Sequence, residues 1–330
     1  MIEVKPYTPE MREQWNRLVE NSKNGTFLFD RGFMEYHNDR FQDYSFCIFY
    51  KDELRAILPA NKIDNEVWSH KGLTYGGLIL HRDEKLERTI VYFRELLKRL
   101  YTAGNSRLYY KPVPSFYHVY PSGEEEYVLF LVKADLFRRD SALVVDQTNP
   151  AQYQTRRSRA IKKAQKIGIR VILDNKFEAF WNNILVPNLK MRFGVPPTHT
   201  LKEIQLLHSR FPDKIHQYNA YDLNGNLQAG TTVFNTGSVA HAQYISANEE
   251  GRKNGSLDFL FDFLIKHEYS NKRYFDFGVS NENEGRKINY GLLNWKEGFG
   301  GRAMSHNFFK INPENYHLLD SVISKKEILT

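Results

Sequence analysis

The chain of 330 residues is about twice the length of a typical domain, so it holds two domains or one large duplicated one. With 41% hydrophobic and 14% aromatic residues it is a folded chain rather than a disordered one, and its single cysteine, Cys47, excludes an internal disulfide and fits a reducing compartment. A net charge of +7 and a pI near 9.1 leave nucleic acid, a membrane surface or an anionic small molecule as partners.

The first predicted elements are a strand over Ile2 to Lys5 and a helix starting at Thr8 and Pro9 and running to about Ser22, with Met11, Trp15, Leu18 and Val19 on one face. A short helix near Gly32 to Asp39 leads to a hairpin with arms Tyr44 to Tyr50 and Leu54 to Ile63, turning at Lys51 to Glu53. Cys47 lies in the first arm as a buried strand residue. A strand around Val67, a glycine-containing stretch from Lys71 to Leu80, a helix from Lys85 to Thr102 closed by Gly104, and a strand from Arg107 to Tyr110 follow. The longest apolar run, Tyr127 to Val132, is too short to span a bilayer, and Met1 to Glu10 has no apolar leader. A cytoplasmic protein without integral membrane association is therefore expected. Lys133 to Pro150, with Asp135, Asp140 and Asp146, reads as a bridge, which puts the domains at 1–148 and 149–330.

The second half repeats the order of the first. Its hairpin is Gln217 to Leu223 and Leu227 to Asn235 around Asn224 and Gly225. A strand Ser238 to Ser246, a helix Ser256 to about Tyr269 and a strand Arg273 to Phe277 complete it. Ahead of them the positive charge is concentrated: Arg156, Arg157, Arg159, Lys162, Lys163 and Lys166 fall in one segment without an acid. On a helix all but Arg157 gather on one side, opposite Ala160, Ile161, Ala164 and Ile167. Such a face is either plainly solvated or attracts a polyanion such as tRNA or an anionic acceptor.

Near the C-terminus, Gly291 to Gly301 sets Lys296 among apolar residues and glycines, flanked by Trp295 and Phe299. A partly desolvated ammonium acts on a developing oxyanion more strongly than a solvated one, which suits acyl transfer. The alternative is a lysine snorkelling from a strand edge with its stem on the tryptophan. Arg252-Lys253-Asn254-Gly255-Ser256 stands where a strand is expected to end and a helix to begin, a place where free N–H groups can hold phosphate, unless it is an ordinary solvated loop with a Gly-Ser cap. Asp276 lies between aromatic residues on a strand, as a structural anchor or a polar group in a cleft, and Tyr244 and Tyr290 offer hydroxyls. The histidines show no His-x-x-x-His spacing, and no Gly-x-Ser-x-Gly or Walker loop occurs, so no metal site, serine hydrolase or P-loop NTPase is expected.

Several segments together resemble the Fem family of peptidyltransferases (FemA, FemB and FemX types) and related acyltransferases of the GNAT superfamily. They are Tyr75-Gly76-Gly77, the basic helix ahead of Gly168-Ile169-Arg170-Val171, Met191-Arg192-Phe193-Gly194, the strand ending in Tyr244, Tyr274-Phe275-Asp276-Phe277-Gly278, and Leu293-Asn294-Trp295-Lys296-Glu297-Gly298-Phe299-Gly300. The resemblance implies an α/β (α+β) chain of two tandem GNAT-like domains, each a mixed, largely antiparallel sheet flanked by helices. The first would serve the acceptor and the second the donor and the chemistry. It implies acyl or aminoacyl transfer to an amine, with Lys296 as oxyanion stabiliser and Trp295 beside it. The donor is an acyl-coenzyme A held at Arg252, Gly255 and Ser256, or an aminoacyl-tRNA.

Arg252 and Gly255 match the superfamily's pyrophosphate motif, and Leu257 departs from it. Arg192, Tyr244, Asp276, Tyr290 and His37 are the substrate-binding candidates, for a small anionic or peptide-like acceptor. Gly32 to His37 lacks the lysine that family members use on a diphosphate, which weakens the case for their cell-wall precursor. The long helical hairpin that some Fem enzymes insert for tRNA is also missing. A different-class alternative is a catalytically inactive binding protein that keeps the fold and holds an anionic ligand or nucleic acid on its basic face.

Overall fold

The computed structural model describes residues 2–323. The chain forms two compact units, Met1–Asp140 with Ser305–Thr330, and Ser141–Met304.

In the first unit the strands are β1 (Ile2–Pro6), β2 (Phe46–Tyr50), β3 (Glu53–Leu58), β4 (Asn61–Ile63), β5 (Glu66–Trp68), β6 (Ile79–Leu80) and β7 (Arg107–Tyr110), and the helices are α1 (Arg12–Glu20), α2 (Arg31–Met34), α3 (Leu86–Thr102) and α4 (Glu124–Leu131). β1, β2, β3 and β6 pair antiparallel in that order. β5 runs parallel to β7, with Val67 opposite Leu108. The amphipathic α3 buries Phe93, Leu96, Leu97 and Leu100 in a core with Ile48, Leu58, Val67 and Leu108. Gly104, at φ 74°, ends that helix in the left-handed region where a side chain would be strained. Thr8 is the residue before the first helical turn and Pro9 opens it, but the Thr8 side chain makes no capping bond to the backbone.

The expected bridge at Lys133 to Pro150 is instead mostly a strand, β8 (Asp135–Asp146), which carries the chain into the second unit. Its charged first half hides the strand. Arg138 donates to the buried Asp140 at 3.1 and 2.6 Å, and the following Ala142, Leu143, Val144 and Val145 are buried. The expected boundary at 148/149 falls just after this strand.

The second unit continues with α5 (Thr155–Lys166), β9 (Arg170–Leu173), α6 (Phe177–Phe180), a wider π-type turn over Trp181–Leu185, α7 (Val186–Phe193) and α8 (Leu201–Arg210). β10 (Ile215–Tyr221), β11 (Leu227–Asn235) and β12 (Val239–Ala247) are followed by α9 (Glu249–Asn254), α10 (Ser256–Phe263), β13 (Tyr274–Val279), β14 (Asn281–Glu282), β15 (Lys287–Ile288) and α11 (Tyr290–Glu297). β16 (Arg302–Ile311) leads back and pairs with β7. Within the second unit β9, β10, β11 and β12 pair antiparallel in sequence order. β12 is parallel to β13, and β13 is antiparallel to β8. α5 and α10 cover one face, burying Ile161, Ala164, Leu260, Phe261 and Leu264 against Tyr218, Val233, Ala240 and Phe275. Each unit thus has the expected order of hairpin, strand, helix and strand, with one parallel pair on either side of the helix. Among the described residues no helix is long and apolar enough to cross a membrane.

Candidate active site

The parallel strands of the second unit part company. Val239, Ala240 and His241 of β12 stand opposite Tyr274, Phe275 and Asp276 of β13, and the pairing stops there. Beyond it β12 stays with β11, carrying a bulge at Gln243, while the register of β13 on β8 shifts between Asp276 and Val279. Gly278, at φ 71°, sits in this fork. The buried Asp276 accepts from the Gly278 N–H through Oδ1 at 2.7 Å and from His241 Nδ1 through Oδ2 at 2.8 Å. A Cβ on Gly278 would lie 3.3 Å from Cε1 of the His241 ring, so the imidazole lies along the glycine.

Lys296 closes the arrangement from α11. Asn289 starts that helix by accepting from the Leu292 N–H at 3.1 Å, and Lys296 comes in its last turn, where the helix dipole favours a cation. The helix replaces the strand edge considered from sequence. Lys296 is 2% exposed, and its Nζ donates to the carbonyls of Gly278 at 2.9 Å and Val279 at 2.7 Å. Burial pulls its pKa down to about 7, against the opposing pull of the Asp276 carboxylate. One glycine therefore has an imidazole along its Cα, a carboxylate on its N–H and an ammonium on its carbonyl. Trp295, one residue earlier, faces elsewhere: its ring packs on Phe261, Phe277 and Phe299 at centroid distances of 5.0, 5.6 and 5.2 Å. This packing fixes α11, and through it Lys296.

The segment Arg252 to Ser256 differs from its expectation. Asn248 caps the additional short helix α9 by accepting from the Gly251 N–H at 2.7 Å, so Arg252 is helical and donates to the Ala247 carbonyl. Ser256 is fully buried, and its N–H and Oγ both donate to Asn254 Oδ1, at 3.0 and 2.6 Å. Gly255 has φ 87°, and a Cβ there would fall 2.3 Å from the carbonyl oxygen of Ala160 in α5. Arg157, the one basic residue on the apolar side of α5, pairs with the buried Asp258 of α10, and Lys163 donates to the Lys253 carbonyl at 2.9 Å. The start of α10 is thus covered by α5, and the amide and hydroxyl of Ser256 are satisfied by Asn254. Gly255→Ala should cost about 3 kcal/mol, from left-handed strain and the clash with a backbone oxygen. Urea unfolding measures it, and a loss below about 1 kcal/mol would mean that α5 does not press on this glycine.

The remaining candidates divide. Arg192 is exposed in the last turn of α7, ahead of Gly194 at φ 67°, and its charge adds to desolvation in lowering the pKa of Arg252, so two guanidinium groups of the second unit act on each other. The Tyr244 hydroxyl accepts from the His199 N–H at 3.0 Å and lies 2.6 Å from its Nδ1, which commits it to internal packing. Tyr290 is 68% exposed at the start of α11. His37 is buried in the first unit, stacked on Tyr36 at 4.2 Å and near His70 at 5.2 Å. On the basic helix Arg159, Lys162 and Lys166 are exposed, while Arg156 donates to the Asn294 carbonyl at 2.7 Å.

Two residues escaped the sequence reading. His241 carries no motif, and only the parallel register with Asp276 reveals it. Lys111, just after β7, is 9% exposed, donates to the Leu73 carbonyl, and has its pKa pulled to about 7 by burial and then by Arg138.

Solved structures of known proteins share this architecture over nearly the whole chain. FemX aligns with a TM-score of 0.68 at 13% identity, covering 96% of this chain and 99% of its own. A tandem GNAT protein from the clavulanic acid biosynthesis pathway gives 0.54 at 12% identity, covering 95% and 99%. L-PGS from Bacillus licheniformis gives 0.59 at 10%, covering 96% of each chain. The chain has the tandem GNAT fold. No protein-family model matches its sequence, and no curated protein does so either. At these identities the likeness concerns fold, and chemistry has to be argued from the fork.

Proposed function

We propose that the chain transfers an acyl or aminoacyl group to an amine at the fork between β12 and β13, with Lys296 stabilising the oxyanion. The observation that carries this reading is the buried ammonium, held by two backbone carbonyls and poised near neutrality. Its third hydrogen remains for a substrate oxygen. When the amine attacks the donor carbonyl, the oxygen gains a negative charge, which raises the proton affinity of Lys296. The cation that burial disfavours in the resting protein is thus favoured in the transition state. Trp295 contributes by packing α11 rather than by touching substrate.

Between the two donors, the covered start of α10 argues against coenzyme A, because the amide and hydroxyl of Ser256 are already spent on Asn254. The exposed Arg159, Lys162 and Lys166 suit the phosphates of an aminoacyl-tRNA. Arg192 and Arg252 suit an anionic group on the acceptor. Binding experiments separate the donors. Total tRNA should bind with a steep salt dependence that becomes shallower in Lys162→Gln/Lys166→Gln, and millimolar acetyl-coenzyme A should give no heat in calorimetry. Coenzyme A binding without tRNA binding would overturn the choice.

A further inference from the structure

The attacking amine must lose a proton for the amide to form. We propose that His241 is the proton acceptor of the transfer reaction and that Asp276 is its positioning residue. This rests on the reading of the fork as the transfer site. Asp276 is itself held from two sides, by the Gly278 N–H and the His241 Nδ1–H, so its carboxylate fixes both the rotation of the imidazole and its tautomer. With the hydrogen on Nδ1, the lone pair of Nε2 is bare. Among the described residues the His241 side chain has no hydrogen bond or ion pair apart from the one to Asp276, and it is 13% exposed. The ring lies along Gly278, whose carbonyl receives Lys296 Nζ. A carbonyl carbon placed with its oxygen toward Lys296 therefore has an unoccupied base and an ammonium on either side of one backbone residue.

The step balances without a further reactant. The acceptor nitrogen, attacking as the neutral amine, forms the new C–N bond with its lone pair as the carbonyl π pair moves to oxygen, and Nε2 takes the proton that this nitrogen then sheds. When the tetrahedral species collapses, the ester C–O bond breaks and the departing ribose oxygen takes the proton back from Nε2. The same histidine serves as base and then as acid, and ends as it began.

Two measurements test this in the full chain. Long-range nitrogen–proton NMR of the resting protein should show His241 as the Nδ1–H tautomer, switching to Nε2–H in Asp276→Asn. An Nε2–H tautomer in the wild type overturns the proposal, whether or not any transfer is seen. In transfer from alanyl-tRNA to glycinamide, His241→Gln should lower kcat by about 10²-fold to 10³-fold with KM within about twofold, and Asp276→Asn should lower it similarly through the wrong tautomer. His241→Asn serves as the second variant should the glutamine disturb the fold. Wild-type kcat in a folded His241 variant would remove the histidine and leave the transfer reading standing, whereas a Lys296 variant of undiminished rate would remove the reading itself.

Discussion

Lys296→Met should lower the rate of acyl or aminoacyl transfer by about 10²-fold to 10³-fold, the loss that follows removal of one donor to a developing oxyanion. The effect should fall on kcat rather than KM, because the ammonium is favoured only as negative charge appears on the substrate oxygen. Methionine fills nearly the same volume, so α11 keeps its place through Trp295 on Phe261, Phe277 and Phe299. The carbonyls of Gly278 and Val279 lose their donor, and neither residue is fully buried. Lys296→Arg should not restore the rate, since a planar guanidinium does not fit a site made for a compact ammonium. An unchanged kcat in either variant, with circular dichroism unaltered, would show that the lysine is structural.

Thermodynamic stability should rise between pH 7 and pH 9, by about 2 kcal/mol for each of two lysines. Lys111 and Lys296 have folded pKa values near 7 and an ordinary value of 10.5 when unfolded. In that interval the unfolded chain binds two protons that the folded chain does not, so raising the pH removes an advantage of unfolding. The gain is complete only above the unfolded value, and it is lost as the pH falls through 7. Other buried groups bound the window. Burial pushes the Glu125 carboxyl up to about 7, so its opposite contribution fades as the pH passes through the start of this window. Burial holds His70 well below its ordinary 6.5, which acts only on the acid side. The Cys47 thiol, pushed up to about 12 from 9.0, begins to remove stability above pH 9. Urea unfolding at pH 7, 8 and 9 reads the slope, and Lys111→Met should remove about half of it. A flat or falling profile would mean that these amines are solvated in the folded state.

Local signals in the sequence were sufficient wherever the cause of a structure is itself local. Asn224 and Gly225 turn the hairpin of β10 and β11, Gly104 stops α3, and Arg107–Tyr110 forms the expected strand, because turn chemistry and apolar spacing act over a few residues. Even the odd orientation of Arg157 was readable from helical periodicity, and its partner proved to be Asp258. What could not be read depends on contacts between distant segments. The strand β8 begins with charges that look like a linker until Arg138 and Asp140 pair. Gly255 looked like a phosphate loop because nothing in its neighbourhood announces that α5 will lie on it. Aromatic neighbours mark Asp276 in the sequence, but its role needs the register that brings His241, 35 positions earlier, opposite it. Flanking rings mark Lys296 in the sequence. Its partners are the carbonyls at the end of β13, which the sequence does not mark.

The protonation of Lys296 itself tests the account most directly. Nitrogen-detected NMR of the lysine side chains, with the Lys296 signal assigned by its loss in Lys296→Met, should give a titration midpoint near pH 7. Binding of a phosphonate analogue of the tetrahedral species should move that midpoint upward by more than one unit. A midpoint near 10.5, unmoved by the analogue, would show a solvated lysine and contradict the proposal that this ammonium receives the oxyanion.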